Sequence, residues 1–267
     1  MPKKCRTSNM LSIIRGSIRK SLLLSIASLV SLVGSNLVAQ EHFNSKGNDA
    51  SSATAALQAD LRDSLPFEDQ RDFEEATRGF IAEPDSRQIL GASGNVVWDL
   101  NRYDFLRTGE DWDTIHPSLQ RQATLNLNFG LFEVVPDFIY QLRGFDLANM
   151  TLVKGDTGWI IFDTLLTSET AAAAFALATE HLGEFPIHAV VYSHSHVDHF
   201  GGVLGVVSEE EVREGDVEII APSGFMEEAI AENVYAGNAM SRRAGLQYGR
   251  VMPSSPFGQV DSAIGKG

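Results

Sequence analysis

Residues 192–202 read YSHSHVDHFGG and place three histidines and an aspartate within six positions: His194, His196, Asp198 and His199. The chain has seven histidines in all, so nearly half of them fall in this one segment. Imidazole and carboxylate together suit Zn2+, Fe or Mn better than Ca2+ or Mg2+. Burying four such groups without a metal is costly, because each needs its own polar partner. His194 and His196 stand two apart on what reads as extended chain, so both rings can approach one ion. Asp198 and His199 follow where the chain begins to turn and form a second pair. Gly201 and Gly202 can take positive φ and let other backbone pass close by. The alternative is an exposed polar loop with coincidental histidines, and the apolar strand before it and the glycines after it speak against that.

The elements that must hold this cluster are legible upstream. IHAVVYSH, residues 187–194, is a short apolar run of the kind that forms a strand buried on both faces. Before it, TSETAAAAFALATEHLGEF reads as a helix with Ser168 at its N-cap and Gly183 at its C-cap. Before that, LFEVVPDFIYQLRG (131–144) and MTLVKGDTGWIIFD (150–163) alternate as a meander of strands, turning at Pro136 and Asp137 and again at Gly155 and Asp156. Strands, helix and buried strand in that order make an α/β layout with a site beyond a strand's carboxyl end. Asp163, ending WIIFD, can cap the turn at Thr164.

The remainder is less patterned. Residues 40–56 are small and polar and read as a flexible start. LPFEDQRDFEEATRGF (65–80) reads as a helix, with Gly79 at its C-cap and Phe67, Phe73 and Phe80 as buried positions. Residues 57–130 are expected to be an accessory helical and loop segment, and residues 131–267 the principal domain.

Residues 1–39 differ from everything after them. Six basic residues and no acidic one precede Gln40, and the basic residues lead into the apolar run SLLLSIASLVSLVG. That is the pattern of a secretory signal peptide, and an uncleaved membrane anchor is the alternative. Export would place the mature chain in the periplasm or outside the cell. The single cysteine, Cys5, lies within this leader, so no disulfide or thiol ligand is expected beyond it. Of the 21 basic and 35 acidic residues, removing the leader's six leaves 15 against 35, a net charge of −20. So acidic a surface excludes binding to nucleic acid and to anionic membranes, and no stable membrane anchoring is expected.

His-x-His-x-Asp-His after a buried strand resembles the signature of the metallo-β-lactamase-fold hydrolases. The further stretches VVWDLNRYDFL, HPSLQRQATLN, GLFEVV, IYQLRGFDLANMTLVKG and ENVYAGNAMSRRAGLQYG are similar to the alkyl sulfatases of that fold, from about Leu57 onward. The resemblance implies an αββα sandwich, a binuclear zinc site with two Zn2+, a homodimer, and hydrolysis of alkyl sulfates such as dodecyl sulfate by metal-activated water. It assigns His194 and His196 to one ion, Asp198 and His199 to the other, and to Asp163 the role of orienting ligands. Asn238, Arg242 and Arg243 are candidates for the sulfate group, the alternative being a helix with a solvated basic face. No histidine follows His199, and Glu227, Glu228, Glu232 and Asp261 sit in no recognisable ligand motif. The chain is therefore expected to be the N-terminal part of a longer enzyme that carries half of the fold, and to bind zinc weakly by itself. Competing expectations are another hydrolase of the same fold, acting on a β-lactam, thioester or phosphodiester, and a non-catalytic zinc-binding protein.

Overall fold

The computed structural model describes residues 47–266. Chain contacts divide the protein into Met1–Asn48 and one compact unit, Asp49–Gly267, and the second holds every described strand and helix. The leader and its alternative as an anchor lie outside the described residues. Among the described residues no helix is long and apolar enough to cross a membrane.

The strands are β1 (Phe80–Ala82), β2 (Gln88–Leu90), β3 (Val96–Asp99), β4 (Gly130–Val135), β5 (Ile139–Arg143), β6 (Met150–Lys154), β7 (Trp159–Phe162), β8 (Ile187–Val191) and β9 (Glu218–Ile220). Seven of them form one sheet in the order β1-β4-β5-β6-β7-β8-β9, and β2 and β3 pair separately. From β1 through β7 the pairing is antiparallel, the expected meander; β7–β8 and β8–β9 are parallel. Opposed residues such as Leu131 with Leu142 and Leu152 with Ile161 are fully buried. On β7 the alternation is plain: Trp159 and Ile161 face inward, while Ile160 and Phe162 are 36% and 40% exposed on the other side.

The helix that carries the chain from β7 to β8 spans Ser168–Leu182. Its buried stripe is Thr170, Ala171, Ala174, Leu177 and Ala178, spaced to make one face, and its alanines let the helix lie close to the sheet. Thr167, one residue earlier than expected, is the N-cap and shares a capping box with Thr170, and Gly183 ends the helix at φ +94°. Helix and strands thus form one layer of helix on one sheet. The second sheet of a sandwich is not among the described residues.

Several local expectations need correction. The stretch 65–80 is not one helix: a helix covers Ser52–Ser64, a second covers Arg71–Thr77, and Leu65 between them is extended. Pro66 explains the break, since it lacks an N–H and disfavours helical backbone at the residue before it. Residues 52–56, expected to be flexible, belong to the first helix, whose N-cap Ser51 accepts from the Thr54 amide. Phe80 is 51% exposed on the edge strand, and Phe67 and Phe73, expected to be buried, are only half-buried. The segment read as accessory supplies β1 of the main sheet and puts Leu100, Tyr103 and Leu106 into the common core.

Candidate metal centre

β8 stops at Val191, and the cluster lies beyond it rather than on it. Tyr192 is still held by the sheet side, donating its amide to the Ile220 carbonyl of β9. His196 is extended and caps a single helical turn, Val197–Phe200, that carries Asp198 and His199. This turn is locked against the β7 end: the Thr164 amide donates to the His199 carbonyl at 2.9 Å, and the Gly202 amide to the Leu165 carbonyl at 2.9 Å. The glycines serve close approach and not positive φ. A Cβ on Gly202 would sit 2.1 Å from the Thr164 carbonyl oxygen, while Gly202 itself has φ −88°.

The three rings are brought together, with His194 4.6 Å from His196 and 4.0 Å from His199 between centroids. Asp163 anchors them. Its Oδ1 accepts from the Ser193 amide at 2.8 Å, and its Oδ2 accepts from the Ser193 hydroxyl at 2.7 Å and lies 2.7 Å from His199 Nδ1. The carboxylate serves the cluster; the turn at Thr164 is held instead by the His199 carbonyl. Asp163 and Leu165 both take left-handed backbone, at φ +60° and +65°. Strain of this kind persists only where the surroundings impose it.

His199 stands between two carboxylates, with Nε2 3.3 Å from Asp198 Oδ2 and Nδ1 on Asp163. Burial alone would lower its pKa, but hydrogen bonds and charge from Asp163 and Asp198 outweigh that and push it up to about 9. Burial raises the carboxylates, yet the partners of each hold both Asp163 and Asp198 below the ordinary aspartate value. His194 is lowered, by burial and then by the neighbouring His199 and His196. Once neutral, His199 directs an Nε2 lone pair at the Asp198 oxygen. Two acceptors at that separation need a proton or a cation between them.

Zinc bonds of about 2.0–2.2 Å at a tetrahedral angle put two ligand atoms roughly 3.3–3.5 Å apart. The Asp198–His199 pair has that span, and its Nδ1 side is held by a carboxylate as metal-bound histidines usually are. Among the described residues, however, no three of His, Cys, Asp and Glu close around a single point. Of the two expected pairs, Asp198 with His199 has this donor spacing, and the rings of His194 and His196 lie 4.6 Å apart between centroids.

Sequence reasoning missed one neighbour. Glu232 Oε1 lies 3.5 Å from His196 Nε2, with the glutamate side chain 24% exposed and the histidine 58%. An aromatic trio delivers it: Phe225 stacks on Tyr192 at 5.3 Å and meets Phe200 edge-on at 5.2 Å, fixing the helix Phe225–Ile230 over the end of β8. A π-helical turn, Ala231–Tyr235, follows and carries Glu232. Such turns often mark functional places, but no spacing rule in the sequence announces this one. Glu227 and Glu228 are exposed on the preceding helix, and Asp261 is paired with Lys266 at 2.7 Å in a fully buried bridge. Asn238, Arg242 and Arg243 are exposed on the helix Gly237–Gln247, and no polar partner is found for any of the three among the described residues.

Residues 143–261 match the family model of the metallo-beta-lactamase superfamily. The chain is 49% identical over 253 residues to an (R)-specific secondary-alkylsulfatase of Pseudomonas sp, an alignment covering 95% of this chain and 37% of that one. It is 49% identical over 217 residues to a linear primary-alkylsulfatase of Pseudomonas sp, covering 81% and 32%. An alkyl/aryl-sulfatase of Saccharomyces cerevisiae is 47% identical over 214 residues, covering 80% and 33%. Among solved structures, the inverting sec-alkylsulfatase Pisa1 of Pseudomonas sp. superposes with a TM-score of 0.78 at 50% identity, over 84% of this chain and 35% of that one. The chain thus spans about a third of the length of the relatives it matches.

Proposed function

From the match of residues 143–261 to the metallo-beta-lactamase superfamily model and the similarity of most of the chain to alkylsulfatases, we propose that the protein hydrolyses alkyl sulfate esters at a binuclear zinc site. Water is added across the ester and an alcohol and sulfate leave. His194 and His196 would hold one ion, and Asp198 and His199 the other, with Asp163 orienting the rings. The observation that carries the reading is the His199 imidazole, pinned at Nδ1 by Asp163 and facing Asp198 across 3.3 Å. Zinc, when bound, supplies a hydrolytic nucleophile at neutral pH and positive charge opposite the ester.

The chain's own residues prepare for that. Asp163, Asp198 and Glu232 make the face negative, which draws divalent cations and repels a sulfate monoester until they are in place. Tyr192, Phe200 and Phe225 pack ring against ring and tie the two ends of the motif to the helix Phe225–Ile230. The described residues give two ligands to each ion, fewer than a tight zinc site has, so further donors must complete each shell for turnover. Arg242 and Arg243 are exposed and free to meet an anionic group, and assigning the sulfate to them and to Asn238 rests on that alone. Export to the periplasm or beyond and a homodimeric assembly belong to the same proposal. They rest on the leader pattern and on the family resemblance.

The test is sulfate release by the gene product from dodecyl sulfate and from a secondary alkyl sulfate, beside a cephalosporin, a thioester and a phosphodiester. Hydrolysis of the sulfates alone is expected. Turnover of one of the other esters would reassign the protein within its superfamily, and zinc uptake without any turnover would make it a non-catalytic zinc binder.

A further inference from the structure

We propose that Ser193 is a positioning residue that relays the charge of Asp163 to His194, so that one carboxylate sets the ring state of His194 and His199 together. The purpose of the relay rests on the metal-site reading, but its hydrogen-bond logic does not.

An ionised carboxylate only accepts hydrogen bonds, and a serine hydroxyl has a single proton to give. Asp163 Oδ2 takes that proton across 2.7 Å, and the Ser193 amide, on Oδ1 at 2.8 Å, fixes the serine backbone in register with it. Toward His194 Nδ1, 2.9 Å away, Ser193 Oγ is then left only as an acceptor. His194 must therefore carry its hydrogen on Nδ1, and its Nε2 keeps a free lone pair. His199 meets the same carboxylate directly, through Nδ1 on Asp163 at 2.7 Å, while its Nε2 faces Asp198. Ser193 Oγ lies 3.5 Å from His199 Nδ1, too far to compete with the carboxylate. Both rings thus have Nδ1 tied to the Asp163 carboxylate, His199 directly and His194 through Ser193, one ring from each proposed pair. The left-handed backbone at Asp163 and Leu165 shows that the fold holds this carboxylate in place against its conformational preference.

The relay makes two substitutions differ in scope. Ser193→Ala releases only His194, and Asp163→Asn releases both histidines. Ser193→Thr keeps a hydroxyl and should restore the native state.

Long-range 1H–15N correlation on the metal-free 267-residue chain at about pH 8 reads the tautomer of each ring. Zinc titration against a chromophoric chelator reads affinity. The expected result is Nδ1–H at His194 in the wild type and in Ser193→Thr, with a shift toward Nε2–H in Ser193→Ala. Zinc affinity should fall about tenfold in Ser193→Ala and further in Asp163→Asn, in line with the usual cost of losing such partners. Nε2–H at His194 in the wild type, no change in Ser193→Ala, or failure of Ser193→Thr to restore the pattern would overturn the relay. If the tautomers behave as stated but the wild type takes up no zinc, the relay stands and the metal-site reading falls.

Discussion

Asp163 Oδ2 and His199 Nδ1 lie 2.7 Å apart, joining the end of β7 to the helical turn beyond β8. Thirty-six positions separate the two residues, and the parallel pairing of β7 with β8 is what brings their strand ends side by side. The contact fixes which nitrogen of His199 faces Asp198, so a carboxylate outside the donor pairs governs the geometry within them.

Asp163→Asn removes that charge with little backbone penalty, because asparagine tolerates the left-handed conformation at φ +60°. Zinc affinity should drop roughly 10–100-fold while the far-ultraviolet circular dichroism stays that of the wild type. An affinity within twofold of the wild type would remove Asp163 from the site.

In the metal-free chain His199 should titrate near pH 9, and lower in Asp163→Asn, where only Asp198 still favours the imidazolium. A folded-state pKa raised above the unfolded one, about 6.5, gives stability that is fully present below about pH 6.5 and is lost as pH rises through 9. Proton NMR of the ring and thermal melts at pH 6.5 and 9.5 check both parts. A melting temperature that rises across that window would contradict the assignment.

Glu232→Ala should weaken zinc binding several-fold by freeing His196 Nε2, and Glu232→Gln, which keeps an acceptor, should recover most of the loss. Because no three donors among the described residues close around one point, Glu232 is expected to steady the ring and not to share its ion. Equal losses in both variants would make it a direct ligand.

Gly202→Ala should destabilise the fold by about 2–4 kcal/mol, since its Cβ would meet the Thr164 carbonyl at 2.1 Å, next to the Thr167 carbonyl at 2.6 Å. Gly237→Ala, with nothing within 4 Å of its Cβ, should be close to neutral. Urea denaturation of the two variants gives the comparison, and equal midpoints would show that the turn beyond β8 is not packed as described.

How much of the fold and the site was legible in the sequence varied with the range of the interaction. The meander, the helix after β7 and the strand β8 followed from alternation, capping residues and an apolar run, all local signals, but β8 is not buried on both faces: only Ala189 and Val190 are buried and His188 is exposed. The four residues that the structure brings together were legible by type and spacing, and Asp163 only through the family resemblance. The helix break at Pro66 obeys a rule visible in the sequence, but the charged and aromatic residues around it imitate one continuous helix. Phe80 was misplaced because an edge strand has one open side. Glu232 was out of reach: it arrives through the packing of Phe225 on Tyr192 and Phe200 and through a π-helical turn, and neither leaves a periodic trace. Gly201 and Gly202 were read for flexibility, whereas their function is to admit the backbone of residues 164–167.

That His194, His196, Asp198 and His199 form a zinc centre for alkyl sulfate hydrolysis is tested most directly by one measurement. It is sulfate release from dodecyl sulfate and a secondary alkyl sulfate by the gene product, wild type beside His196→Ala and Asp198→Ala, before and after chelation. The expected result is release by the wild type that chelation abolishes and zinc restores, and a loss of at least about a hundredfold in each variant, on the order of 3 kcal/mol in transition-state stabilisation. No sulfate release by zinc-replete wild type, or an undiminished rate in His196→Ala, would contradict it.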